Sequence, residues 1–196
     1  MPRVGLTRDR VVRAAAEMAD EDGWSRLTLA ALATRLGVRQ PSLYKHIDSL
    51  DDLHRGVSLV ARRELGDVIA RAAVGRAHRD ALAALCLAYR DWVLAHPGRY
   101  AATVRAPAAD DLEDQQASAE VVAVVVDVLA GFGLEDERAI DAARTVRSAI
   151  HGFVVLETSG GFGLPRGLDT SFAFLVDTLA AGLEASAGGR SGRAAG

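Results

Sequence analysis

In the stretch Arg39-Gln40-Pro41-Ser42-Leu43-Tyr44-Lys45-His46-Ile47 the side chains divide by spacing. Leu43 and Ile47 stand four apart, one helical turn, and can pack inward together. Gln40, Ser42, Tyr44, Lys45 and His46 are then left outward, a surplus of hydrogen-bond donors with one phenol. Such a set suits base-pair edges in a major groove. Gln40 can bridge adenine N6 and N7, Ser42 can serve several edges, and the Pro41 ring can touch a thymine methyl. Lys45, the Tyr44 hydroxyl and Thr28, at a helix N-terminus, suit phosphates. The other reading of the same residues is a plain helical hairpin with a solvated polar face.

Charge favours the first reading. From 24 to 47 the chain carries Arg26, Arg35, Arg39 and Lys45 with no acid. Residues 1–16 add Arg3, Arg8, Arg10 and Arg13 against Asp9 alone. Residues 108–120 hold Asp110, Asp111, Glu113, Asp114 and Glu120 with no base, and the formal net charge is −3. Nucleic-acid binding follows local charge on a face rather than the sum over the chain.

Other chemistry finds no support. No Gly-x-Ser-x-Gly elbow occurs, and Gly160-Gly161-Phe162-Gly163 lacks both a phosphate-loop lysine and dinucleotide-fingerprint spacing. The five histidines show no close metal-ligand spacing, and the acids at 110–114 do not have the spacing of a calcium loop. The single cysteine, Cys86, excludes an internal disulfide and a multi-cysteine zinc site. No catalytic residue, metal or cofactor is expected. No apolar run approaches the roughly 18 residues needed to cross a bilayer, so a soluble, cytoplasmic protein without a membrane partner is expected.

The elements that must hold these side chains are helices. Leu29, Leu32, Ala33 and Leu36 mark one helical face, as do Leu82, Leu85, Cys86, Tyr89 and Val93. The same spacing recurs in Ile140, Ala143, Val146, Ile150 and Val154, and in Phe172, Leu175, Val176, Leu179 and Leu183. The valine-rich run 121–126 reads as part of a buried helix over about 112–130. Gly23 suits the end of the first helix, Thr28 the N-cap of the second and Gly37 its end. Ser49 and Asp52 form a capping-box variant that opens a long helix, roughly Leu50 to Ala73. His96-Pro97-Gly98 stops the next helix, and Asp169 is expected to cap the last. Two short helices around a glycine turn, 29–36 and 39–47, have helix-turn-helix spacing. The fold class is therefore all-α. Residues 1–50 make a three-helix domain that carries this hairpin, 51–185 a helical bundle, and 186–196 a disordered tail.

The stretch Leu29 to Ile47 resembles the signature of TetR-type transcriptional regulators. Leu36-Gly37-Val38 and Ser42-Leu43-Tyr44-Lys45-His46 carry the likeness, with Gln40-Pro41 in front. It covers about residues 7–53. The resemblance implies a homodimeric repressor that binds double-stranded DNA at a palindromic operator and is released by a small-molecule effector. By position, it places Arg39, Gln40, Pro41, Ser42 and Lys45 at bases, and Thr28, Tyr44 and His46 mainly at the backbone. Two departures stand out. Arg39 stands where the family often has a capping serine, and Ser49-Leu50-Asp51-Asp52 stands where a phosphate-binding lysine is common. Further along, His151-Gly152-Phe153 with Leu156-Glu157, and His96-Pro97-Gly98-Arg99-Tyr100, are similar to the WHG type of C-terminal domain within that family. No likeness to a tetracycline-binding half is visible, so tetracycline is not expected as effector.

A ligand pocket between bundle helices would be mostly apolar with a few polar groups. Tyr89, Trp92, Tyr100, Thr103, Arg147 and His151 lie on or beside the apolar stripes and are the candidate ligand-binding residues. Arg147 and His151, four apart, could orient an anionic or carbonyl-bearing ligand. The last two helices, about 135–157 and 169–185, are the expected dimer interface. Two other readings fit the residues: a helical small-molecule-binding protein, and a regulator without a small ligand, controlled by a protein partner.

Overall fold

The computed structural model describes residues 5–188. They form eight α-helices: α1 (Arg8–Asp22), α2 (Leu29–Leu36), α3 (Leu50–Ala73), α4 (His78–Ala95), α5 (Pro97–Thr103), α6 (Leu112–Ala130), α7 (Asp136–Thr158) and α8 (Leu168–Gly188). Two 3-10 segments, Trp24–Arg26 and Gln40–Lys45, complete the helical content, and no strand occurs among the described residues. The chain forms two compact units. One takes the described residues up to Glu64 with Ala95–Ser118; the other takes Leu65–Leu94 and the described residues from Ala119 onward. The first unit thus runs past residue 50 and also claims α5, which the sequence alone assigned to the bundle.

In the first unit, Thr7 caps α1 by accepting the Arg10 N–H, and Thr28 caps α2 by accepting the Ala31 N–H at 3.2 Å. Val11, Val12, Ala15, Ala16 and Met18 of α1 meet Leu29, Leu32 and Ala33 of α2, Leu43 and Ile47, and Leu53 and Val57 of α3 in one core. α5 lies on α1. There Asp20 accepts the Arg99 backbone N–H at 2.8 Å. The first turn of α6 is tied to α3: Arg55 holds Asp111 and Glu113, and buried Arg62 holds Asp114 at 3.2 Å.

In the second unit, Leu82, Leu85, Cys86 and Val93 of α4, Val146, Ile150 and Val154 of α7, and Phe172, Val176 and Leu183 of α8 are buried. Four expectations are corrected. The valine run 121–126 is helical but none of it is buried, and Val122 is 47% exposed; α6 buries Ala117, Val128 and Leu129 instead. Ile140 is half-exposed, because the buried face of α7 begins at Ala139 and Ala142 instead. Asp169 does not cap α8, which starts at Leu168; its carboxylate accepts from Arg90 Nη1 at 2.8 Å. Residues 186–188 belong to α8 and not to a disordered tail, and the rest of that tail lies outside the described residues.

Candidate nucleic-acid interface

The site is built on α2 and the segment that follows it. Gly37 takes the left-handed conformation, φ 66° and ψ 30°, which glycine adopts at little steric cost. Its N–H reaches the Thr34 carbonyl and the Val38 N–H reaches the Ala33 carbonyl at 3.0 Å, the paired bonds of a Schellman stop. The chain leaves α2 there and passes through extended Arg39, φ −80° and ψ 142°.

The helical segment that follows is shorter and tighter than expected. Gln40–Lys45 is a 3-10 helix rather than an α-helix over 39–47. Its closing bonds run three residues back, Ser42 N–H to the Arg39 carbonyl and His46 N–H to the Leu43 carbonyl, each 2.8 Å. The segment carries Pro41 in its first turn, where the missing N–H costs no bond, and has no side-chain cap at Arg39.

The inward and outward division holds. Leu43 and Ile47 are buried, while Arg39, Gln40, Pro41, Tyr44 and Lys45 are exposed, and Ser42 and His46 are half-buried. Tyr44 is 50% exposed, with its ring and hydroxyl open to solvent on this face. The structure therefore brings the seven predicted side chains from 39 to 46 onto one exposed segment of a rigid core. Thr28 stands exposed at the start of α2, its hydroxyl oxygen already holding an N–H.

Electrostatics refine the charge count. Arg35 is bound to Glu21 through both guanidinium nitrogens, at 2.6 and 2.8 Å, so it adds little to the basic surface. Arg26, Arg39 and Lys45 are exposed and form no salt bridge among the described residues. Asp52, a carboxylate that departs from the family pattern, is held by Arg8, which keeps it below the usual carboxylate range. Ser49 accepts the Asp52 N–H at 3.0 Å, as the capping-box spacing implies. The Asp52 carboxylate, however, reaches back to the Asp48 N–H rather than to Ser49.

The candidate ligand residues divide between the units. Tyr89 and Trp92 are buried on α4, His151 is half-buried on α7, and Arg147 is exposed one turn before it, all in the second unit. Tyr100 and Thr103 are buried in the first unit, where the Thr103 hydroxyl donates to the Tyr100 carbonyl at 2.8 Å. The sequence reading missed Arg90. It is 6% exposed, bonds Glu157 of α7 through Nε at 2.8 Å as well as Asp169 of α8, and lies over the Phe153 and Phe172 rings. An open groove of about 370 Å³ runs between α7 and α8, lined by Arg138, Ala142, Thr145, Leu179, Gly182 and Leu183 among others. No helix among the described residues is long and apolar enough to cross a membrane.

Comparison with known proteins matches both parts. Residues 11–55 match the model described as bacterial regulatory proteins, tetR family, and residues 82–179 match that of the tetracyclin repressor-like C-terminal domain. A helix-turn-helix-type transcriptional regulator of Mycobacterium tuberculosis is 42% identical over 91% of this chain and 82% of its own length. One from Bacillus subtilis is 34% identical, over 93% and 95%. A solved TetR variant of Acinetobacter baumannii, in complex with minocycline, superposes with a TM-score of 0.70 at 26% identity, over 93% of this chain and 98% of that one.

Proposed function

This chain belongs to the TetR family of bacterial transcriptional regulators, and from that premise we propose that it is a repressor released from DNA by a small-molecule effector. It is a DNA-binding regulator and not an enzyme. The proposed operator is palindromic, because a two-fold protein presents two copies of one recognition segment to two half-sites. The carrying observation is the exposed set Arg39, Gln40, Pro41, Tyr44 and Lys45 on a segment pinned by buried Leu43 and Ile47. In this reading Arg39, Gln40, Pro41, Ser42 and Lys45 meet bases, and Thr28, Tyr44 and His46 meet the backbone.

Dimerisation is assigned to α7 and α8. Phe174 is 73% exposed, and Ile140, Val155 and Leu156 are close to half-exposed, an apolar surface on these two helices that a second copy would cover. The effector is assigned to the second unit, with Tyr89, Trp92 and His151 as its contacts and Arg147 at the margin. A related solved protein binds minocycline, which supports a small organic effector without identifying it. Effector would favour a dimer whose half-site spacing no longer fits, and by linkage DNA would weaken effector binding by the same factor.

The test is fluorescence anisotropy with DNA flanking the coding region, against a scrambled duplex, across a salt series. Tight binding to one duplex with two protomers bound supports the reading. Binding to neither duplex at low salt, or one protomer per duplex, contradicts it.

A further inference from the structure

We propose that Arg8 and Asp52 form a clamp that positions the exit of the recognition segment, so that Arg8 serves recognition without touching DNA. The proposal rests on the reading of 39–46 as the base-reading segment. Arg8 is the first residue of α1, and its Nη1 and Nη2 each lie 2.7 Å from one oxygen of the Asp52 carboxylate. Nη1 also donates to the His46 carbonyl at 3.2 Å, immediately past the recognition segment. Asp52 in turn accepts the Asp48 N–H at 3.0 Å. One ion pair thus gathers the start of α1, the end of the segment, the turn after it and the first turn of α3.

Three features say that this contact has a purpose beyond surface charge. A cation at a helix N-terminus opposes the helix dipole, so Arg8 stands where α1 alone would not favour it. The geometry is bidentate, which fixes direction as well as distance. And the segment has no side-chain cap at Arg39, so Arg8 supplies a side-chain hold at its other end. The 3-10 turns are held by few bonds, and a shift at His46 would move Tyr44 and Lys45 with it.

The clamp and simple electrostatics predict opposite signs. Asp52→Asn removes a negative charge beside a surface that meets a polyanion. Charge alone would tighten binding; loss of the clamp would weaken it. A duplex is first selected by the wild-type protein from a random-sequence pool, and its scrambled counterpart serves as control. Asp52→Asn and Arg8→Gln are each expected to weaken binding to the selected duplex about three- to thirtyfold, less than a fully buried charge-assisted bond would give because Arg8 stands partly exposed. Binding to the scrambled duplex should stay within about twofold. The double variant should lose less than the sum of the two single ones, since both remove the shared Arg8–Asp52 pair. The slope of log affinity against log salt should match wild type in Arg8→Gln, because no phosphate contact is lost.

Equal or tighter binding of the selected duplex by Asp52→Asn overturns the clamp. So does a slope reduced by about one in Arg8→Gln, which would make Arg8 a phosphate ligand. Arg8→Lys keeps the charge and the helix but loses the fork, and wild-type affinity in that variant also overturns the proposal, even if a neutral variant fails to fold. If the wild-type protein selects no duplex, the base-reading assignment itself fails and takes the clamp with it, an outcome distinct from failure of the variants alone.

Discussion

Gly98 sits where α5 touches α1, and replacing it with alanine should destabilise the N-terminal unit. A Cβ built there falls 2.0 Å from the Ala19 carbonyl oxygen, 2.1 Å from its carbon and 2.5 Å from the Asp20 nitrogen. All three are backbone atoms, so none can swing aside. Ordinary contact is about 3.5 Å, so α5 must retreat from the C-terminal end of α1 by about 1.5 Å. The retreat would break the 2.8 Å bond from Arg99 N–H to Asp20 and stretch the contacts of Arg99 Nε and His96 Nδ1 with the same carboxylate. Overpacking costs about 1–3 kcal/mol, and a lost bond to a carboxylate about 1.5–3 kcal/mol. Better helix propensity returns at most about 1 kcal/mol. The net loss is about 3 kcal/mol, a fall in Tm of about 6–12 °C for a chain of this length. Thermal melting followed by far-UV circular dichroism measures it. Gly152→Ala in α7 is the control: nothing lies within 4 Å of its Cβ, and it should raise Tm by a few degrees. A Gly98→Ala melt within about 2 °C of wild type would refute the close-approach reasoning.

The carboxyls of Asp52, Asp111 and Glu113 are all lowered by arginine partners, Asp111 to about 2 through its bond with Arg55. Their folded values lie below an unfolded value of about 4, so this stability is present above about pH 5 and is lost as pH falls toward 2. Urea midpoints measured across that range should drop, and Asp111→Asn should flatten the drop; an unchanged drop contradicts the pairing. Phe174→Glu puts a charge on the apolar surface of α8 and should give a monomer by light scattering at micromolar concentration, whereas an unchanged dimer would remove α8 from the interface. Burial pushes the Cys86 thiol up to about 12, so at pH 8 it should react with a thiol reagent at least about a hundredfold more slowly than in the urea-unfolded chain. Comparable rates would mean that α4 is not packed as described.

Much of the frame was legible because its signals are local. Thr28, Gly37 and the Ser49–Asp52 pair act within four residues of themselves, and each marks an element boundary as its chemistry requires. The long helix from Leu50 to Ala73 and the helical valine run follow the same way. The tight winding of Gln40–Lys45 escaped because apolar spacing does not separate a 3-10 turn from an α-helical one. What escaped depends on distant partners. Arg90 meets residues 67 and 79 positions away, and Arg8 one 44 away. Membership of α5 in the N-terminal unit rests on the approach of Gly98 to Ala19, which no spacing within either segment records.

The most direct measurement compares Gln40→Ala with wild type on the selected duplex and its scrambled control. Gln40 is exposed and contributes nothing to the core, so folding should not change. Loss of about 1–3 kcal/mol on the selected duplex, with the scrambled affinity and the salt slope unaltered, is the result expected of a base-reading residue. Equal weakening on both duplexes, or none on either, would contradict the assignment of 39–46 as the segment that reads sequence.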